Sequence, residues 1–278
     1  MTDTVLVTGT SSGIGLETAV AAAQAGWRTV ATMRDTAKAT ALREAADKAG
    51  VTDLIDIRTL DVTDAAGVAA CVADVIAAHG RLDAVINNAG SGHVGTLEQE
   101  SVDDVRAVFE ANFFGVLTVT KAALPHLRAA KGRLLTVTSV GGVVGQPFNE
   151  AYCAAKFAVE GFMEGLAPVV AAHGVRVSVI EPGAVASEFV TNIGAGPDLL
   201  TAAGPYAPQL GAYITRTRAA FDGAQTSADA AAVIVETLTA DQPAFRVQTS
   251  DVARAFTATK LKDMDGSSVQ SLTSTWVA

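Results

Sequence analysis

The sequence contains few of the residues that build disulfide frameworks or metal sites. Its 278 residues include only two cysteines, Cys71 and Cys153, and four histidines. The cysteines have neither framework spacing nor metal-ligand spacing, and no histidine pair follows the H-x-x-x-H pattern. We therefore predict that the chain binds no metal ion, that both thiols are packed in helices, and that the protein is cytoplasmic.

Basic side chains and long apolar runs are also scarce. Twenty lysines and arginines against 29 aspartates and glutamates give a net charge of −9 and a pI near 4.9. This balance disfavours nucleic acids and anionic membranes as main partners. No stretch offers about 18 uninterrupted apolar residues, and the start, Met-Thr-Asp-Thr, lacks the basic segment of a signal peptide. We therefore predict neither a membrane span nor a secretory signal.

Short β-branched runs alternate along the chain with longer alanine-rich runs of helical period. Apolar residues make up 49% of the chain and charged ones 18%, which allows a large core. Continuously apolar strands separated by helices indicate an α/β fold, a doubly wound Rossmann domain with helices on both faces of a mostly or wholly parallel seven-stranded sheet. The strands are predicted at 4–8, 29–33, 53–60, 84–87, 133–138, 176–180 and 244–249. The helices are predicted at 14–25, 36–48, 65–79, 102–127, 152–173 and 227–239.

We predict a single domain over residues 1–278, because no linker, repeat or low-complexity segment divides the chain. Within it, residues 188–223 form a Gly-, Pro- and Ala-rich insertion with little periodicity. A segment of that kind is typical of a lid or substrate loop. The tail, residues 251–278, has an amphipathic pattern and is expected to cover either a subunit boundary or the substrate cleft.

A glycine-rich loop joins the first predicted strand to the first helix and reads T-G-T-S-S-G-I-G at residues 8–15. Gly9 permits a tight turn, Gly13 lets the backbone approach a pyrophosphate, and Gly15 lets the helix pack closely on the strand. The N–H groups at the helix start would meet the phosphates. In this position the loop predicts dinucleotide binding, although its spacing is G-x-x-x-G-x-G instead of the more common G-x-G-x-x-G.

The end of the second predicted strand indicates which nicotinamide cofactor binds. Chains that bind NAD usually have an acidic residue here, which holds the ribose 2′-hydroxyl. This chain has Met33, Arg34 and Asp35. The Arg34 guanidinium suits a 2′-phosphate, and Ser11 or Ser12 could add a hydroxyl contact. We interpret Asp35 as a helix N-cap and favour NADP(H); NAD(H) stays open, because Asp35 could serve its ribose.

Tyr152 and Lys156 lie four residues apart at the start of a predicted helix, so they share one helix face. Free tyrosine titrates near 10, and lowering its pKa by about 3 units takes roughly 4 kcal/mol. One ammonium at about 4 Å supplies about that much at an effective dielectric of 20. The pair suits acid–base catalysis near neutral pH, but the spacing alone is more often that of an ordinary amphipathic helix.

Several motifs follow one another along the chain: T-G-x-x-x-G-I-G at 8–15, Asp61, N-N-A-G at 87–90, Asn112, Ser139, Y-x-x-x-K at 152–156 and P-G at 182–183. In kind and in order they resemble those of the short-chain dehydrogenase/reductase family, and the match runs from about residue 4 to residue 190. More loosely, residues 31–35 and 243–246 resemble the hydroxysteroid- and retinol-dehydrogenase-like branch of that family.

The resemblance implies a role for each matching residue. Tyr152 would be the general acid/base, and Ser139 would hydrogen-bond the substrate oxygen. Lys156 would lower the Tyr152 pKa and bind the nicotinamide ribose, and Asn112 would hold a water molecule beside Lys156. The implied cofactor-binding residues are Gly9, Ser11, Ser12, Gly13, Ile14, Gly15, Arg34, Asp61, Val62, Asn88, Ala89, Gly90, Tyr152, Lys156, Pro182, Gly183, Val185 and Ser187.

The residues predicted to contact the substrate are Ser139, His93, Phe148, Asn149 and Phe189. Their surroundings are mostly apolar, which suits a hydrophobic ketone or aldehyde and its alcohol. The resemblance also implies a homodimer or homotetramer. Two other functions stay open: an NADP-binding regulatory or sensor protein on the same fold, and an NAD-dependent secondary-alcohol dehydrogenase. A sensor could lose the catalytic groups, whereas this chain keeps all of them.

Overall fold

A computed structural model of the chain describes residues 2–186, 197–221 and 223–277, and its centre is a parallel β-sheet. Seven strands form this sheet in the order β3-β2-β1-β4-β5-β6-β9, and two short strands, β7 and β8, pair separately. The strands are β1 (Thr4–Thr8), β2 (Arg28–Met33), β3 (Ile55–Thr59), β4 (Ala84–Asn87), β5 (Arg133–Val137), β6 (Arg176–Glu181), β7 (Val185–Ala186), β8 (Gln225–Thr226) and β9 (Arg246–Gln248).

Every neighbouring pair in the seven-stranded sheet is parallel, so the predicted sheet is confirmed. The strand order reverses between β1 and β4, which are neighbours in space although two strands separate them along the chain. In a doubly wound sheet the crevice beyond the carboxyl ends of the strands at this point is where ligands bind. The loops that follow β1, β4 and β5 meet there.

The helices cover both faces of the sheet. They are α1 (Gly13–Gln24), α2 (Thr40–Lys48), α3 (Ala65–His79), α4 (Val102–Phe109), α5 (Gly115–Ala130), α6 (Glu150–Ala171), α7 (Pro197–Ala202), α8 (Ala207–Phe221), α9 (Ser227–Thr239), α10 (Asp251–Leu261) and α11 (Ser267–Ser274).

Alternate strand residues point to opposite faces, and each face has its own apolar core. Leu6 packs in a cluster with residues of α3, α5 and α6. Its neighbours Val5 and Val7 pack in another cluster with residues of α1 and α9. Burying both faces of the sheet explains why its central strands read as continuous apolar runs.

Several predicted helices differ from the observed ones. The helix predicted at 36–48 is a short 3₁₀ turn at Thr36–Lys38 followed by α2. The helix predicted at 102–127 is interrupted by a π-helical turn at Glu110–Phe114 and continues to Ala130. The described part of the insertion at 188–223 is largely helical, in α7 and α8.

One helix among the described residues, Val102–Ala130, is long and apolar enough to cross a membrane by length and composition alone. Its second part packs against the sheet through Val116, Val119, Ala123 and Leu127. A core helix passes the same composition test, so the apolar character of this one is a weak sign of a membrane span.

Candidate active site

The glycine loop between β1 and α1 leaves no room for side chains at two of its glycines. A Cβ on Gly9 would lie 2.8 Å from Ala89 Cα, and one on Gly15 would lie 2.1 Å from the Gly9 carbonyl oxygen. Gly9 and Gly13 also have positive φ angles, of 74° and 58°. Gly9 is therefore required for both space and backbone conformation, Gly15 for space, and Gly13 is favoured by its backbone conformation.

The start of α1 is arranged to receive an anion. Ser12 is its N-cap, and the Ser12 side chain makes no capping hydrogen bond. The N–H groups of the first turn, which begins at Gly13 and includes Ile14, thus have no side-chain partner at the cap. With half-buried Ser11 beside them, they form a cradle that fits the pyrophosphate of a dinucleotide.

The loop after β4 is held against the glycine loop by its own hydrogen bonds. The Asn88 amide Nδ2 donates to the carbonyl oxygens of Thr8 and Gly9, at 2.9 and 3.1 Å. The Thr8 hydroxyl accepts from the backbone N–H groups of Asn88 and Ala89, both at 3.0 Å. Two of the predicted cofactor segments therefore form one rigid floor.

The adenosine side of the predicted site lies at the ends of β2 and β3. Arg34 is exposed there. Asp35 accepts a hydrogen bond from the Ala37 N–H at 2.9 Å. It is therefore an N-cap, as predicted, but it caps the 3₁₀ turn at Thr36–Lys38 and not an α-helix. Asp61 Oδ1 accepts from the Thr63 backbone N–H and hydroxyl, at 3.0 and 2.8 Å. Those bonds, and more weakly the Arg34 charge, hold the pKa of Asp61 below its usual value.

Ser139, Tyr152 and Lys156 meet at the end of β5 and the start of α6. The Tyr152 hydroxyl is hydrogen-bonded to the Ser139 side chain. The Ser139 Oγ also accepts from the Gly141 N–H at 3.0 Å, in the 3₁₀ turn that follows β5. The Lys156 Nζ lies 5.8 Å from the centre of the Tyr152 ring and donates to the Val137 carbonyl at 3.1 Å.

Burial shifts the pKa values of this group. It raises the pKa of Tyr152 well above its usual value, and the hydrogen bond with Ser139 opposes that rise. It lowers the pKa of Lys156 to about 8, and the charge of Glu160 opposes that fall. The expectation that Lys156 lowers the Tyr152 pKa is therefore not confirmed in this arrangement. Desolvation of the phenol is the largest cause of the shift in its pKa, and the Lys156 Nζ is directed at the Val137 carbonyl.

Asn112 lies in the π-helical turn and is completely buried. Its side-chain amide donates to the carbonyl oxygens of Ser91 and Val108, both at 3.0 Å, and its Oδ1 accepts from the Ser91 N–H at 3.2 Å. A Cβ on Gly90 would lie 2.7 Å from Asn112 Oδ1 and 3.5 Å from Lys156 Nζ. The structure thus brings Asn112, Gly90 and Lys156 together.

The loop after β6 closes the remaining side of the predicted cofactor site. Pro182 is buried, and its carbonyl oxygen accepts from the Val140 N–H at 2.9 Å, one residue past Ser139. Gly183 is half-buried, and Val185 pairs with Gln225 in the small second sheet. The predicted residues Ser187 and Phe189 lie outside the described residues.

The predicted substrate residues have partners within the protein. The His93 ring Nε2 lies 2.6 Å from Glu100 Oε1, so this histidine is part of an ion pair or hydrogen bond in its own loop. The Asn149 amide donates to the Tyr213 hydroxyl at 2.6 Å. Phe148 packs in an apolar cluster, the Phe148 cluster, whose buried members are Phe148, Ala203, Leu210, Tyr213 and Trp276.

Sequence reasoning missed the members of the Phe148 cluster that come from α8 and the tail. Tyr213 and Trp276 are 5% and 8% exposed, and the Trp276 ring stacks on Phe256 at 5.8 Å. The buried pair Leu210 and Tyr213 has the spacing of a helix face, which was the available signal. The tail therefore packs beside Phe148, as one of its two expected locations requires.

A cavity of about 490 Å³ lies at the β9 edge of the sheet, away from Tyr152, and is lined by residues of α9 and α10. A second cavity of about 330 Å³ lies beside Phe148, between Tyr206, Pro147 and Val277. No group of three or more metal-ligating side chains occurs within the part of the chain that the structure describes.

Known proteins resemble this chain over most of its length. Residues 3–198 match the sequence profile of the short chain dehydrogenase family. Retinol dehydrogenase 8 of Bos taurus is 37% identical over 279 residues, covering 95% of this chain and 86% of that protein. The 17-beta-hydroxysteroid dehydrogenase type 1 of Homo sapiens is 35% identical over 271 residues, covering 95% of this chain and 82% of that protein.

Solved structures agree with that result. A short-chain dehydrogenase from Streptomyces avermitilis has a TM-score of 0.78 and 32% identity, covering 99% of this chain and 96% of that one. A short chain dehydrogenase/reductase from Burkholderia phymatum in complex with NAD shares the fold at a TM-score of 0.80 and 23% identity, covering 95% and 94%. An alcohol dehydrogenase from Thermococcus sibiricus complexed with 5-hydroxy-NADP also shares the fold, at a TM-score of 0.72 and 23% identity, covering 89% of this chain and 96% of that one.

The profile match and the two relatives cover the glycine loop, the Ser139–Tyr152–Lys156 group and most of the remaining chain. The backbone cradle around Gly9 and Gly15 also fits the dinucleotide that such proteins use. This chain belongs to the short-chain dehydrogenase/reductase family, in its hydroxysteroid- and retinol-dehydrogenase-like branch, and is an oxidoreductase that acts on a CH–OH group with a nicotinamide dinucleotide.

Proposed function

We propose that the protein is an NADP(H)-dependent oxidoreductase that interconverts a hydrophobic ketone or aldehyde and its alcohol. One observation carries the proposal: the hydrogen-bonded hydroxyls of Ser139 and Tyr152 lie beside the buried amine of Lys156. Two neighbouring hydroxyls can together hold a carbonyl oxygen and supply it with a proton. A sensor protein would have no use for this arrangement, and the alternative of a regulatory function is therefore disfavoured.

The chain's own groups divide the work of the reaction. Bound at the glycine loop, the nicotinamide supplies or accepts the hydride. Ser139 Oγ accepts a hydrogen bond from the Gly141 N–H, so its hydroxyl hydrogen can turn from Tyr152 to a bound substrate oxygen. Tyr152 donates its proton to the same oxygen in reduction and removes it in oxidation. Lys156 holds positive charge beside the phenol and would bind the ribose hydroxyls.

A preference for NADP(H) is supported by the ends of β2 and β3. Arg34 is exposed at the end of β2, where its guanidinium can reach a 2′-phosphate. Asp35, the residue that could serve NAD instead, uses its carboxylate to cap the next turn at the Ala37 N–H. An acceptor already engaged with the backbone is a poorer partner for a ribose hydroxyl. An NAD-dependent dehydrogenase is the second candidate, and the Arg34 experiment described in the Discussion separates the two.

A hydrophobic substrate is supported by the surroundings of Ser139 and by the relatives. Phe148 and the rest of its cluster supply an apolar wall next to the loop that leads into α6. The names of the two relatives specify apolar alcohols, retinol in one and a 17-beta-hydroxysteroid in the other. His93 is the least suited of the predicted substrate residues, since Glu100 holds its ring.

We further propose a cytoplasmic homodimer or homotetramer made of single-domain subunits. Exposed apolar side chains on α6 and in the π-turn between α4 and α5 support the assembly. Phe162 and Val169 on α6 are 41% and 64% exposed, and Phe114 in the π-turn is 47% exposed. Sedimentation equilibrium of the purified chain would give the subunit number directly.

Incubation with NADPH and a panel of apolar ketones and aldehydes, followed at the nicotinamide absorbance, tests the function. Tyr152→Phe should abolish turnover, because the variant has no proton to give, while NADPH still binds in a fluorescence titration. Tyr206→Phe is the control, because the Tyr206 hydroxyl donates to Glu98 at the surface, at 2.7 Å. Turnover by the Tyr152→Phe variant at a rate near wild type would refute the assignment.

A further inference from the structure

A second charged side chain follows Lys156 by one helical turn on the face of α6 that carries Tyr152. Glu160 is buried, with 5% of its surface exposed. The loop after Ser139 packs over both residues, because a Cβ on Gly142 would lie 3.1 Å from Glu160 Cγ and 3.2 Å from the Lys156 carbonyl oxygen. Lys156 and Glu160, 4% and 5% exposed, are thus both buried on the helix face that carries Tyr152, although the Lys156 Nζ donates its hydrogen bond to the Val137 carbonyl.

Thr138 gives Glu160 a partner in either protonation state. The Thr138 hydroxyl lies 2.5 Å from Glu160 Oε1 and 2.9 Å from the Ile180 carbonyl oxygen. A hydroxyl has one hydrogen, so it can donate to only one of these acceptors at a time. With Glu160 ionised, Thr138 donates to the carboxylate; with Glu160 protonated, the carboxylic acid donates to Thr138, which then donates to Ile180. Both states are hydrogen-bonded.

Arg246 of β9 connects Glu160 to two further carboxylates. Its guanidinium lies 3.2 Å from Glu160, 3.0 Å from Glu164 and 2.8 Å from Glu181. Glu181 is completely buried and also accepts from the Gln248 amide at 2.8 Å. One guanidinium therefore faces three carboxylates, two of them buried.

This crowding favours a proton on Glu160 near neutral pH. Burial and the charge of Glu181 raise the pKa of Glu160 to about 7, against the opposing bond from Thr138 and the charge of Arg246. The groups that face Glu160 are Lys156 and Glu164 on α6, Glu181 on β6 and Arg246 on β9. Ionised Glu160 stabilises the ammonium form of Lys156, which burial alone disfavours.

We propose that Glu160 is a positioning residue of this enzyme, which keeps Lys156 charged beside Tyr152 through the buried network of Thr138, Glu160 and Arg246. The proposal rests on the proposed function, because Lys156 acts in that reaction. It also connects β9, at the edge of the sheet, to the catalytic group through side chains alone. Protonation of Glu160 would remove the negative charge that stabilises the Lys156 ammonium, without moving any backbone.

The pH dependence of kcat/KM for ketone reduction tests the proposal. Replacing Glu160 by glutamine removes the negative charge but keeps the shape, so Lys156 should lose its proton at lower pH. In Glu160→Gln the alkaline limb of the profile should move down by about one pH unit. An alkaline limb with the same midpoint as wild type would overturn the proposal, whatever the absolute rate.

Two variants separate positioning from simple stabilisation. Glu164→Gln removes a carboxylate that touches the same guanidinium but has 64% of its side chain exposed, and it should leave the midpoint in place. Glu160→Asp keeps the charge and should restore most of the wild-type midpoint. If the three variants lose stability in thermal melts but share the wild-type midpoint, Glu160 is structural only.

Carboxyl ¹³C NMR of the labelled wild-type chain gives a readout that needs neither substrate nor cofactor. One glutamate should titrate near neutral pH, well above the ordinary value of about 4.3. Thr138→Val, which removes the partner of the ionised form, should raise that midpoint further. If every glutamate titrates near its ordinary value, the proposal is overturned even where turnover is normal. A neutral titration with no turnover of any ketone would instead refute the proposed function alone.

Discussion

The two sides of the active site are built from different kinds of contact. On the cofactor side, backbone atoms pack on backbone atoms, as where a Cβ on Gly15 would strike the Gly9 carbonyl. On the substrate side, side chains pack on side chains from distant segments, as where Asn149 donates to Tyr213, 64 residues further along the chain. The tightly packed glycine positions of the first side tolerate one residue type, whereas the second side tolerates many combinations of similar volume.

This difference predicts that substitutions on the cofactor side will cause large losses of cofactor binding. Substitutions on the substrate side should cause smaller losses, in stability and in substrate binding. Three experiments examine it, beginning with the largest effect.

Gly15→Ala should abolish cofactor binding. Its added Cβ would lie 2.1 Å from the Gly9 carbonyl oxygen and 2.4 Å from Asn88 Nδ2, so the floor of the cradle must move. We expect NADPH affinity to fall at least a hundredfold in a fluorescence titration, about 3 kcal/mol. Gly161→Ala in α6 is the matched control, since nothing lies within 4 Å of its added Cβ. It should bind NADPH normally, and equal affinities for both variants would contradict the steric argument.

Arg34→Ala should weaken NADPH binding about tenfold to a hundredfold and leave NADH binding little changed. A charge-assisted hydrogen bond to a phosphate contributes about 1.5–3 kcal/mol. NADH has no 2′-phosphate, so it makes no such bond that the substitution could remove. Isothermal titration with both cofactors measures the difference. Arg43→Ala, which removes another exposed arginine from α2, controls for net charge. Equal losses for NADPH and NADH would disprove the phosphate contact and leave Asp35 as the ribose partner.

Tyr213→Phe should have the smallest effect and should spare the cofactor. It leaves the Asn149 amide, which now donates to the Tyr213 hydroxyl at 2.6 Å, without that buried acceptor. Such a loss costs about 1–3 kcal/mol, so we expect a lower melting temperature and a raised KM for the ketone. NADPH affinity should stay at the wild-type value. A fall in NADPH affinity instead would show that the two sides are coupled.

The parts of this protein that could be predicted from sequence are those with strict local requirements. The succession of apolar strands and helices predicts the sheet. Strands that are buried on both faces are continuously apolar, because they lack the alternating polar residues of a strand with one exposed face. Gly9, Gly13 and Gly15 stand out because a Cβ at Gly9 or Gly15 would clash with neighbouring atoms and because Gly9 and Gly13 have positive φ angles. The structure also brings Ser139, Tyr152 and Lys156 together, as the resemblance implied.

The remaining features depend on packing that no local pattern encodes. The Arg246 network joins β9 to α6 across 86 residues of sequence, and each carboxylate in it looks like an ordinary surface charge until the strands are paired. The direction of the Tyr152 pKa shift was missed for the same reason. An ammonium one turn away is visible in the sequence, but the depth at which the phenol is buried is not.

The π-helical turn at Glu110–Phe114 places a strict limit on the length of the chain at this point. A π-turn accommodates one residue more than an α-helical turn, and each residue of an α-helix advances about 100° around the axis. Deleting one residue here would therefore rotate all of α5 relative to Asn112. The helix could then direct Asn112 toward Gly90, or pack Val119 and Leu127 against the sheet, but not both. Insertions and deletions that surface loops absorb freely would be excluded from this one turn of a long helix.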